Sequence, residues 1–427
     1  MVDKRIIEFV ITEQQEEIAL RSSSVLCRRA EQSLVELDSP LAQVVIGVRR
    51  SGKSTLCYQA LHSAGVAFAY VDFDDERLVD LKSEQLNDVL EVLYKVYGHF
   101  THLFLDEIQN VDGWHLFVNR LLRKGLHVVV TGSNARLLSG ELATHLTGRN
   151  KEIELYPFSF GEYCELKQVD TARLTTEAEA ARRAAFDCYM QQGGFPEIHR
   201  VRSARSYVNT LVNHILKRDI EQRFRVAYTA ALEAMTHHLL NVAPTIVVVK
   251  DLAELFGIKS AHAVKNYVDY LKQAYILIGV AKYSAKSRLR VVQEKVYAVD
   301  VALLNQRSNA LVGANLGFRL ETIVLIELKR RCSRPNLDIY YFRERSGECD
   351  FLVCEHNRVL QAIQVSYDIS ADKTLKREVN GLLMAAAKTG CDNLLLITDH
   401  ESRTMTINGR KIVVQPAYQW CLAQGAF

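Results

Sequence analysis

The chain lacks several features that would place it in a specialised class of protein. Its nine cysteines are scattered singly, with no CxxC pair, so they fit neither a disulfide framework nor a zinc site. Six prolines and 21 glycines leave no room for a long flexible linker. No run reaches the ~18 apolar residues of a membrane span. We therefore expect buried, reduced thiols and no membrane partner.

The chain also lacks a strong excess of positive or negative charge. The formal net charge is only +3, so a nucleic-acid surface would have to be a local basic patch and not a property of the whole chain. Charged residues interrupt the short apolar run in MVDKRIIEFVITEQQEE, which is unlike a signal peptide. We expect a cytoplasmic protein. The length favours roughly three domains at ~150 residues each.

Five apolar runs of strand length alternate with amphipathic helical stretches between residue 42 and about residue 158. They are AQVVIG, AFAYVDF, HLFLDE, HVVVTGS and KEIELYPF. Short continuous runs rich in β-branched residues are typical of parallel strands buried on both faces. Residues 5–36 and 160–243 instead follow helical patterns. The first half is therefore predicted to be an α/β core followed by a helical segment.

Two further units are predicted in the second half. Two short helices, VKDLAELFG and SAHAVKNYVDYLKQ, precede two strand-like runs, YILIGVAKYS and LRVVQEKVYAV. Helix, turn, helix and hairpin is the order of a winged helix. From about residue 305, a long helix, LGFRLETIVLIELKRR, leads into three strands, another helix and NLLLITD as the last strand. The predicted domains are residues 1–160, 161–245, 246–304 and 305–427.

The first predicted strand ends in GVRRSGKST, which has the spacing of a phosphate-binding loop. Its glycines let backbone N–H groups turn towards phosphates, Lys53 neutralises the β and γ charges, and the Ser54 hydroxyl reaches Mg²⁺. The stretch therefore predicts a site for a nucleoside triphosphate and Mg²⁺. The predicted nucleotide-binding residues here are Gly47, Arg49, Arg50, Ser51, Gly52, Lys53, Ser54 and Thr55.

Two later strand ends supply candidates for the rest of this site. In THLFLDEIQ, Asp106 is placed to bind Mg²⁺, directly or through water, and Glu107 to polarise the attacking water. The adjacent glutamate favours ATP hydrolysis over a GTPase switch. In HVVVTGSN, Ser133 and Asn134 either contact the γ-phosphate or the water, or are ordinary turn residues.

These stretches together resemble the AAA+ ATPases, and the resemblance covers most of the chain. The motifs that carry it are GVRRSGKST, FLDEIQNVDGW, TGSNARLL, LTGRNKEIELYPFSFGEY, QGGFPE and LKRDI. The closer resemblance is to a prokaryotic group with a C-terminal domain of unknown function. It implies an α/β fold with a P-loop AAA+ parallel-sheet core, a helical lid, and a homo-oligomer expected to be a ring.

The resemblance also implies roles for residues that spacing alone does not assign. Arg149 matches an arginine that reaches the γ-phosphate of the neighbouring subunit; the alternative is a surface arginine in a turn. Gly194 and Pro196, in GGFPE, match a lid segment near the nucleotide; the alternative is a loop between lid helices. The catalytic candidates are thus Lys53, Glu107, Ser133, Asn134 and Arg149.

Basic residues gather on the predicted winged helix. On its second helix and hairpin, the DNA-binding candidates are Lys259, Lys265, Asn266, Lys282, Lys286, Arg288 and Arg290. A helix in the major groove with a basic wing on the phosphate backbone is an established way of binding DNA. Winged helices also mediate protein contacts, and a basic hairpin can be no more than a solvated surface.

The C-terminal segment resembles the restriction-endonuclease-like fold, with two departures from its pattern. Glu321 and Asp350 match its acids, but Gln364 stands where a carboxylate is expected and Ser366 where a lysine is expected. Without that lysine, we predict a degenerate module that serves in DNA binding or assembly, and intact DNA in the presence of Mg²⁺ or Mn²⁺. A domain that binds only protein is the alternative.

The sequence thus predicts an oligomeric AAA+ ATPase that hydrolyses ATP with Mg²⁺ and couples hydrolysis to DNA binding or remodelling. One alternative is a slow regulatory switch that binds a protein partner through its tail. Another is an ATP-gated DNA nuclease, which depends on the missing lysine.

Overall fold

The computed structural model describes residues 1–21, 27–133, 146, 148–284, 293–306, 316–333 and 336–423. The chain divides into two compact units. The first comprises Met1–Leu155 with Gln273–Tyr275, and the second comprises Tyr156–Lys272 with Ile276–Phe427. The finer division into four domains stays a prediction.

The described part of the first unit contains one parallel sheet, in the order β2-β3-β4-β1-β5. This confirms the predicted parallel-sheet core, and all five predicted runs are strands. The strands are β1 (Ala42–Ile46), β2 (Phe68–Asp72), β3 (His102–Asp106), β4 (His127–Gly132) and β5 (Asn150–Glu154). The helices are α1 (Lys4–Arg21), α2 (Lys53–Ser63), α3 (Leu86–Tyr97) and α4 (Trp114–Arg123).

Apolar side chains explain why this sheet is buried. Every residue of β1 and of β3 is buried, because helices cover the strands. Ile18 of α1 and Leu56 of α2 share a core cluster with Val45, Phe104 and Val129 of the sheet. The strand ends that carry polar residues are thereby held at fixed positions.

Helices open the second unit, as the sequence predicts for residues 160–243. They are α5 (Phe160–Leu166), α6 (Thr176–Gln192), α7 (Ala204–His214), a π-helical stretch (Ile215–Glu221) and α8 (Thr229–Val242). The predicted helix-turn-helix and hairpin correspond to β6 (Thr245–Ile246), α9 (Val249–Leu255), α10 (Ala261–Gln273), β7 (Leu277–Lys282) and β8 (Glu294–Ala298). The C-terminal elements are α11 (Leu316–Arg331), β9 (Leu337–Glu344), β10 (Gly347–Glu355), β11 (Arg358–Val365), α12 (Asp372–Thr389), β12 (Leu394–Thr398), β13 (Arg403–Ile407), β14 (Arg410–Pro416) and α13 (Ala417–Leu422).

Within the described residues, the hairpin and the C-terminal strands form one mixed sheet, in the order β13-β14-β12-β11-β10-β9-β7-β8-β6. The link is a short parallel pairing of β7 with β9, at Ala281–Tyr340 and Lys282–Tyr341. This confirms that the C-terminal region contains a separate sheet, which has both parallel and antiparallel strands. The hairpin is part of that sheet, which the sequence pattern did not indicate.

The prediction that NLLLITD is the last strand is wrong, because β13 and β14 follow it. Both residues of the tight turn between them, Asn408 and Gly409, have positive φ values, 53° and 77°. Asn-Gly between alternating apolar and polar residues is a strong hairpin signal. The signal was present in TMTINGRKIVV.

All nine cysteines lie in the described residues and are free thiols. The prediction that they are buried is only partly correct. Buried thiols belong to Cys57, Cys164, Cys349, Cys354 and Cys391, whereas Cys188 is exposed and Cys27, Cys332 and Cys421 are half-buried. Over the ranges given above, no helix combines the length and hydropathy needed to span a membrane.

Candidate functional site

The predicted phosphate-binding loop joins the end of β1 to the start of α2. Positive φ values at Gly47 (147°), Arg50 (66°) and Gly52 (97°) turn its backbone. A Cβ at Gly47 would lie 2.1 Å from the carbonyl oxygen of Leu155, so only glycine fits there without displacing the backbone just after β5. The loop conformation therefore depends on a residue type that the motif predicts.

Lys53 is held inside this loop. Its Nζ donates to the carbonyl oxygens of Gly47 and Val48, both at 3.2 Å, and lies 3.9 Å from Oε1 of Glu107. Only 5% of the residue is exposed. The buried ammonium is therefore fixed between the loop and the end of β3.

Asp106 ends β3 at the floor of the same site. Its carboxylate accepts hydrogen bonds from the hydroxyls of Thr131 and Tyr70, the latter at 3.3 Å. Burial raises the pKa of Asp106, and the charge of Glu107 raises it further. The nearby Ser54 hydroxyl acts in the opposite direction, because it favours the ionised carboxylate and lowers its pKa. The structure thus places Ser54 and Asp106, the two predicted Mg²⁺ ligands, at the same site.

Asp72 and Asp74 are site residues that the sequence interpretation missed. Asp72 ends β2, opposite Asp106 in the strand register, and Asp74 follows it. Burial, and next the neighbouring charge of Asp106, raise the pKa of Asp72 to about 7. Asp74 accepts a hydrogen bond from Arg49 at 2.9 Å. The signal was the acidic run that ends FAYVDFDD, directly after a predicted strand.

Glu107 leaves the strand with a left-handed backbone, φ 51°. Its N–H donates to Oγ1 of Thr131 at 3.0 Å, and its carboxylate accepts from Ser133 at 3.2 Å and from the side-chain amide of Gln109. Ser133 therefore contacts the predicted catalytic base. Asn134 lies outside the described residues.

These groups surround one cleft of about 270 Å³ in the first unit. The cleft opens at the ends of three parallel strands, β1, β2 and β3, because parallel strands end at the same edge of a sheet. Its lining residues are Arg49, Arg50, Gly52, Lys53, Ser54, Thr55, Asp72, Asp74, Asp106 and Glu107.

A buried arginine supports the loop from behind. Nη1 of Arg29 donates to the carbonyl oxygen of Ser51 at 2.9 Å, and a Cβ at Gly52 would lie 3.6 Å from the same nitrogen. Arg29 precedes the sheet by more than ten residues, so the motif spacing gave no indication of this contact.

The remaining residues implied by the AAA+ resemblance lie elsewhere. Arg149 is exposed, and its carbonyl oxygen accepts from Ala42 at the start of β1 at 3.0 Å. Gly194 belongs to the second unit, where its N–H donates to Asp300 at 2.9 Å and its carbonyl oxygen accepts from Phe158 at 2.7 Å. Pro196 begins a short 3₁₀ turn. Packing explains Gly194, since a Cβ there would lie 2.2 Å from the Phe158 oxygen; nucleotide contacts stay a prediction.

The predicted DNA-binding residues are described only in part. Lys259 and Lys265 are exposed at the start and on the open face of α10, and Asn266 is half-buried beside them. Lys282 ends β7 and donates to Gln293 at 3.0 Å. Lys286, Arg288 and Arg290 lie outside the described residues.

The C-terminal acids do come together, and a lysine that the sequence interpretation missed lies between them. Nζ of Lys295, on β8, is 2.8 Å from Glu321, 2.7 Å from Glu348 and 3.6 Å from Asp350. Tyr297 donates to Glu321 at 2.7 Å. Burial strongly raises the pKa of Asp350, and the charge of Glu321 adds to the increase. Lys295 was missed because it precedes the acidic pattern and lies on the hairpin.

Gln364 and Ser366 have different surroundings, although both are buried. The amide of Gln364 accepts from the Asp350 N–H at 3.3 Å and donates to Glu378 of α12 at 2.7 Å. Ser366 donates instead to the carbonyl oxygen of Asp368 at 3.2 Å. Glu321, Asp350 and Gln364 are therefore neighbours, whereas the Ser366 hydroxyl serves a turn.

Comparison with known proteins identifies the first site. Residues 39–164 match the family model described as an AAA domain, and this range contains the phosphate-binding loop and the strands that end in the cleft. The chain therefore carries an AAA domain, and the P-loop of that domain is the phosphate-binding loop described above. Residues 183–313 match a second model, a domain of unknown function, DUF8612.

Two relatives extend over most of the chain. An uncharacterized protein of Methanocaldococcus jannaschii is 29% identical over 437 aligned residues, which cover 99% of this chain and 96% of the relative. An uncharacterized protein of Haemophilus influenzae is 29% identical over 354 residues, which cover 79% and 86%. Sequences similar to most of this chain therefore occur in both organisms.

Solved structures that align with this chain include AMPPCP-bound DnaA from Aquifex aeolicus, at 14% identity and a TM-score of 0.25, covering 61% of this chain and 87% of DnaA. The Thermotoga maritima RuvB Holliday junction branch migration motor is 16% identical at a TM-score of 0.29, covering 63% and 90%.

Proposed function

We propose that this protein hydrolyses ATP in a Mg²⁺-dependent reaction at the cleft of its AAA domain. The observation that supports this most directly is the convergence of Lys53, Ser54, Asp106 and Glu107 on one cleft. Lys53 would neutralise the β- and γ-phosphates. Glu107 would accept the proton of the attacking water, since its carboxylate is held at the mouth of the cleft by Ser133 and Gln109.

The side chains present fit Mg²⁺. Asp106 is buried and Asp72 is half-buried. Burial and neighbouring negative charge raise the pKa values of both acids, and a cation would relieve that repulsion. Among the described residues, no group of three His, Cys, Asp or Glu side chains is arranged to hold a metal. That agrees with Mg²⁺ held by one or two protein groups together with phosphates and water. Bound there, the ion would neutralise charge on the transferred phosphoryl group.

The direct test is ATP turnover by three variants of the full chain. Lys53→Ala should abolish nucleotide binding or turnover. Glu107→Gln should bind ATP but turn it over at least ~100-fold more slowly, as expected for loss of a general base. Lys124→Ala, an exposed lysine at the end of α4, is the matched control and should retain wild-type activity. Normal turnover by the Glu107 variant would exclude it as the base.

We further propose that the ATPase cycle is coupled to DNA. Support comes from two exposed lysines, Lys259 just before α10 and Lys265 on it. Two short helices followed by a hairpin is also the order expected for a winged helix that binds DNA. Turnover should rise with duplex, single-stranded or branched DNA, and the effect should weaken from low to moderate salt. Turnover indifferent to every DNA, with stable ADP occupancy, would instead favour the slow switch with a protein partner.

We do not propose a nuclease, because Lys295 lies where a divalent cation would have to bind. An ammonium within 2.8 Å of Glu321 and of Glu348 already neutralises the acids. DNA incubated with the protein and Mg²⁺ or Mn²⁺ should therefore stay intact. Cleavage that is lost in Asp350→Ala would overturn this.

A further inference from the structure

A large open cleft lies at one edge of the mixed sheet in the second unit. Its volume is about 930 Å³, and it is formed by the neighbouring ends of β9, β7, β8 and β6. Three strand intervals separate β9 from β6, so the cleft extends roughly 14 Å along the sheet edge. It is therefore long enough for an extended ligand.

Three cations line this cleft: Lys282 at the end of β7, Arg343 near the end of β9, and Arg345 in the turn between β9 and β10. The one carboxylate in the lining, Glu344, is already paired with Lys388 at 3.5 Å. Among the described residues, no carboxylate lies within ion-pair distance of Lys282 or Arg345. Arg343 pairs with Glu348 at 3.7 Å. Lys282 and Arg345 therefore give the cleft positive charge that no described carboxylate balances.

The turn that carries Arg345 is fixed in place. Asn380 of α12 donates to the carbonyl oxygen of Ser346 at 3.3 Å. A Cβ at Gly347 would lie 2.9 Å from the sulfur of Met384, so the turn packs closely on α12. Because the turn is held rigidly, less conformational entropy is lost when its cation binds a ligand.

We propose that this cleft binds the phosphate backbone of a nucleic acid strand. The proposal rests on the proposed coupling to DNA and names the surface responsible. Guanidinium groups match phosphate oxygens in bidentate geometry, and Gln293 and Ser346 add neutral donors along the lining. At 3.4 Å of rise per phosphate, a cleft of this length spans about four phosphates of one strand.

This surface differs from the one that the sequence predicts. The predicted contacts centre on α10 and the hairpin, and only Lys282 among them lines the cleft. Arg343 and Arg345 belong to the C-terminal strands, so the C-terminal sheet itself would contact the nucleic acid. The proposal does not depend on residues 285–292.

The test compares two double variants of the full chain. Lys282→Gln/Arg345→Gln removes two charges from the cleft. Arg358→Gln/Lys411→Gln removes two exposed charges from β11 and β14, which do not line it. Binding of fluorescein-labelled duplex, single-stranded DNA and polyglutamate is followed by fluorescence anisotropy across a salt series, and ATP turnover is measured in parallel without DNA.

We expect the cleft variant to raise the Kd for DNA about tenfold at low salt and to reduce the slope of log K against log salt by about two. The control variant should bind like the wild type. The DNA form, duplex or single-stranded, whose affinity falls more in the cleft variant is the form that this cleft prefers. Equal loss of DNA affinity in both variants, or no loss in either, would show that this cleft is not the DNA-binding surface. The proposed coupling to DNA would still stand. If the wild type binds only polyglutamate, or neither ligand, both the proposed surface and the coupling to DNA would be overturned. Unchanged ATP turnover without DNA would then show that the ATPase proposal survives.

Discussion

Thr131 is the residue that connects the two carboxylates of the proposed reaction. Its hydroxyl donates to Asp106 and accepts from the backbone N–H of Glu107 at 3.0 Å. It is fully buried near the end of β4, beside β3 in the sheet. One hydroxyl therefore holds the predicted metal ligand and orients the predicted base, although it need not touch substrate.

Thr131→Val should lower kcat by about 10- to 100-fold, because small displacements of catalytic groups are costly. ATP affinity should change much less, since Lys53 and the loop are intact. Thr131→Ser should restore most of the activity by restoring the hydroxyl, and Thr210→Val, on the exposed face of α7, serves as control. Steady-state turnover and nucleotide titration measure the two effects. Equal loss in the Ser variant would point to packing and not to positioning.

His199 shows how burial translates into pH dependence. Burial, and then the charge of Lys167, lower the pKa of His199 to about 4, and its ring packs edge-on against Tyr163 at 5.2 Å. Unfolding restores an ordinary pKa near 6.5. Between these values the unfolded chain binds the extra proton, so this contribution to stability is complete above about pH 6.5 and is lost as the pH falls towards 4.

His199→Phe should flatten the fall in unfolding free energy between about pH 6.5 and pH 4. Urea denaturation at several pH values measures it, with His400→Phe, an exposed histidine, as the control. An unchanged pH profile in the His199 variant would assign the acid sensitivity to other groups.

Strand β8 is joined to two other elements by a single side chain. Lys295 binds Glu321 of α11 and both Glu348 and Asp350 of β10, and burial of these charges is tolerated because each has a partner. The ion pairs thus fasten the hairpin of β7 and β8 onto the C-terminal sheet.

Lys295→Met should lower the free energy of unfolding of this unit by about 3–5 kcal/mol, because it leaves buried carboxylates uncompensated. Adding Asp350→Asn to this variant should recover part of the loss, since it removes one of the stranded charges. Urea denaturation followed by circular dichroism measures both, with Lys411→Met as the exposed control. A Lys295 variant as stable as the control would mean that the ion-pair cluster does not stabilise this unit.

The whole molecule consists of two units, with the nucleotide cleft in the first and the basic cleft in the second. For the assembly, the sequence predicts a homo-oligomer in which Arg149 serves a neighbouring subunit. The exposed side chain of Arg149, next to the start of β1, is compatible with that proposal.

Mixing two inactive variants tests whether Arg149 acts between chains. Arg149→Ala retains its cleft but lacks the arginine, and Lys53→Ala lacks a working cleft but retains the arginine. If Arg149 acts in trans, a mixture should regain ATP turnover, because some clefts will meet an intact arginine from a neighbour. Arg123→Ala, an exposed arginine of α4, mixed with Lys53→Ala controls for dilution. Turnover no higher than the sum of the separate variants would place Arg149 within its own chain or outside the reaction.

Much of the fold and part of the site follow from local sequence. The five strands of the first sheet, α11 and the phosphate-binding loop are specified by short runs, because hydrophobic period and glycine positions act over a few residues. Lys53, Ser54, Asp106 and Glu107 could be predicted because each lies at a fixed offset from a strand end. Even the hairpin of β13 and β14 was signalled locally, by Asn408 and Gly409.

Tertiary structure brought together residues that have no fixed spacing from one another in the sequence. Asp72, Thr131 and Arg29 join the nucleotide cleft only because the strand order places β2 and β4 beside β3 and brings the N-terminal segment behind the loop. Lys295 meets the C-terminal acids, and Lys282 joins Arg345 at the basic cleft, only because β7 pairs with β9. The sequence by itself determined the strands, the loop and the residues at their ends. Which of those ends became neighbours was decided by sheet pairing, since it depends on burial and hydrogen bonding across the whole unit and not on any local pattern.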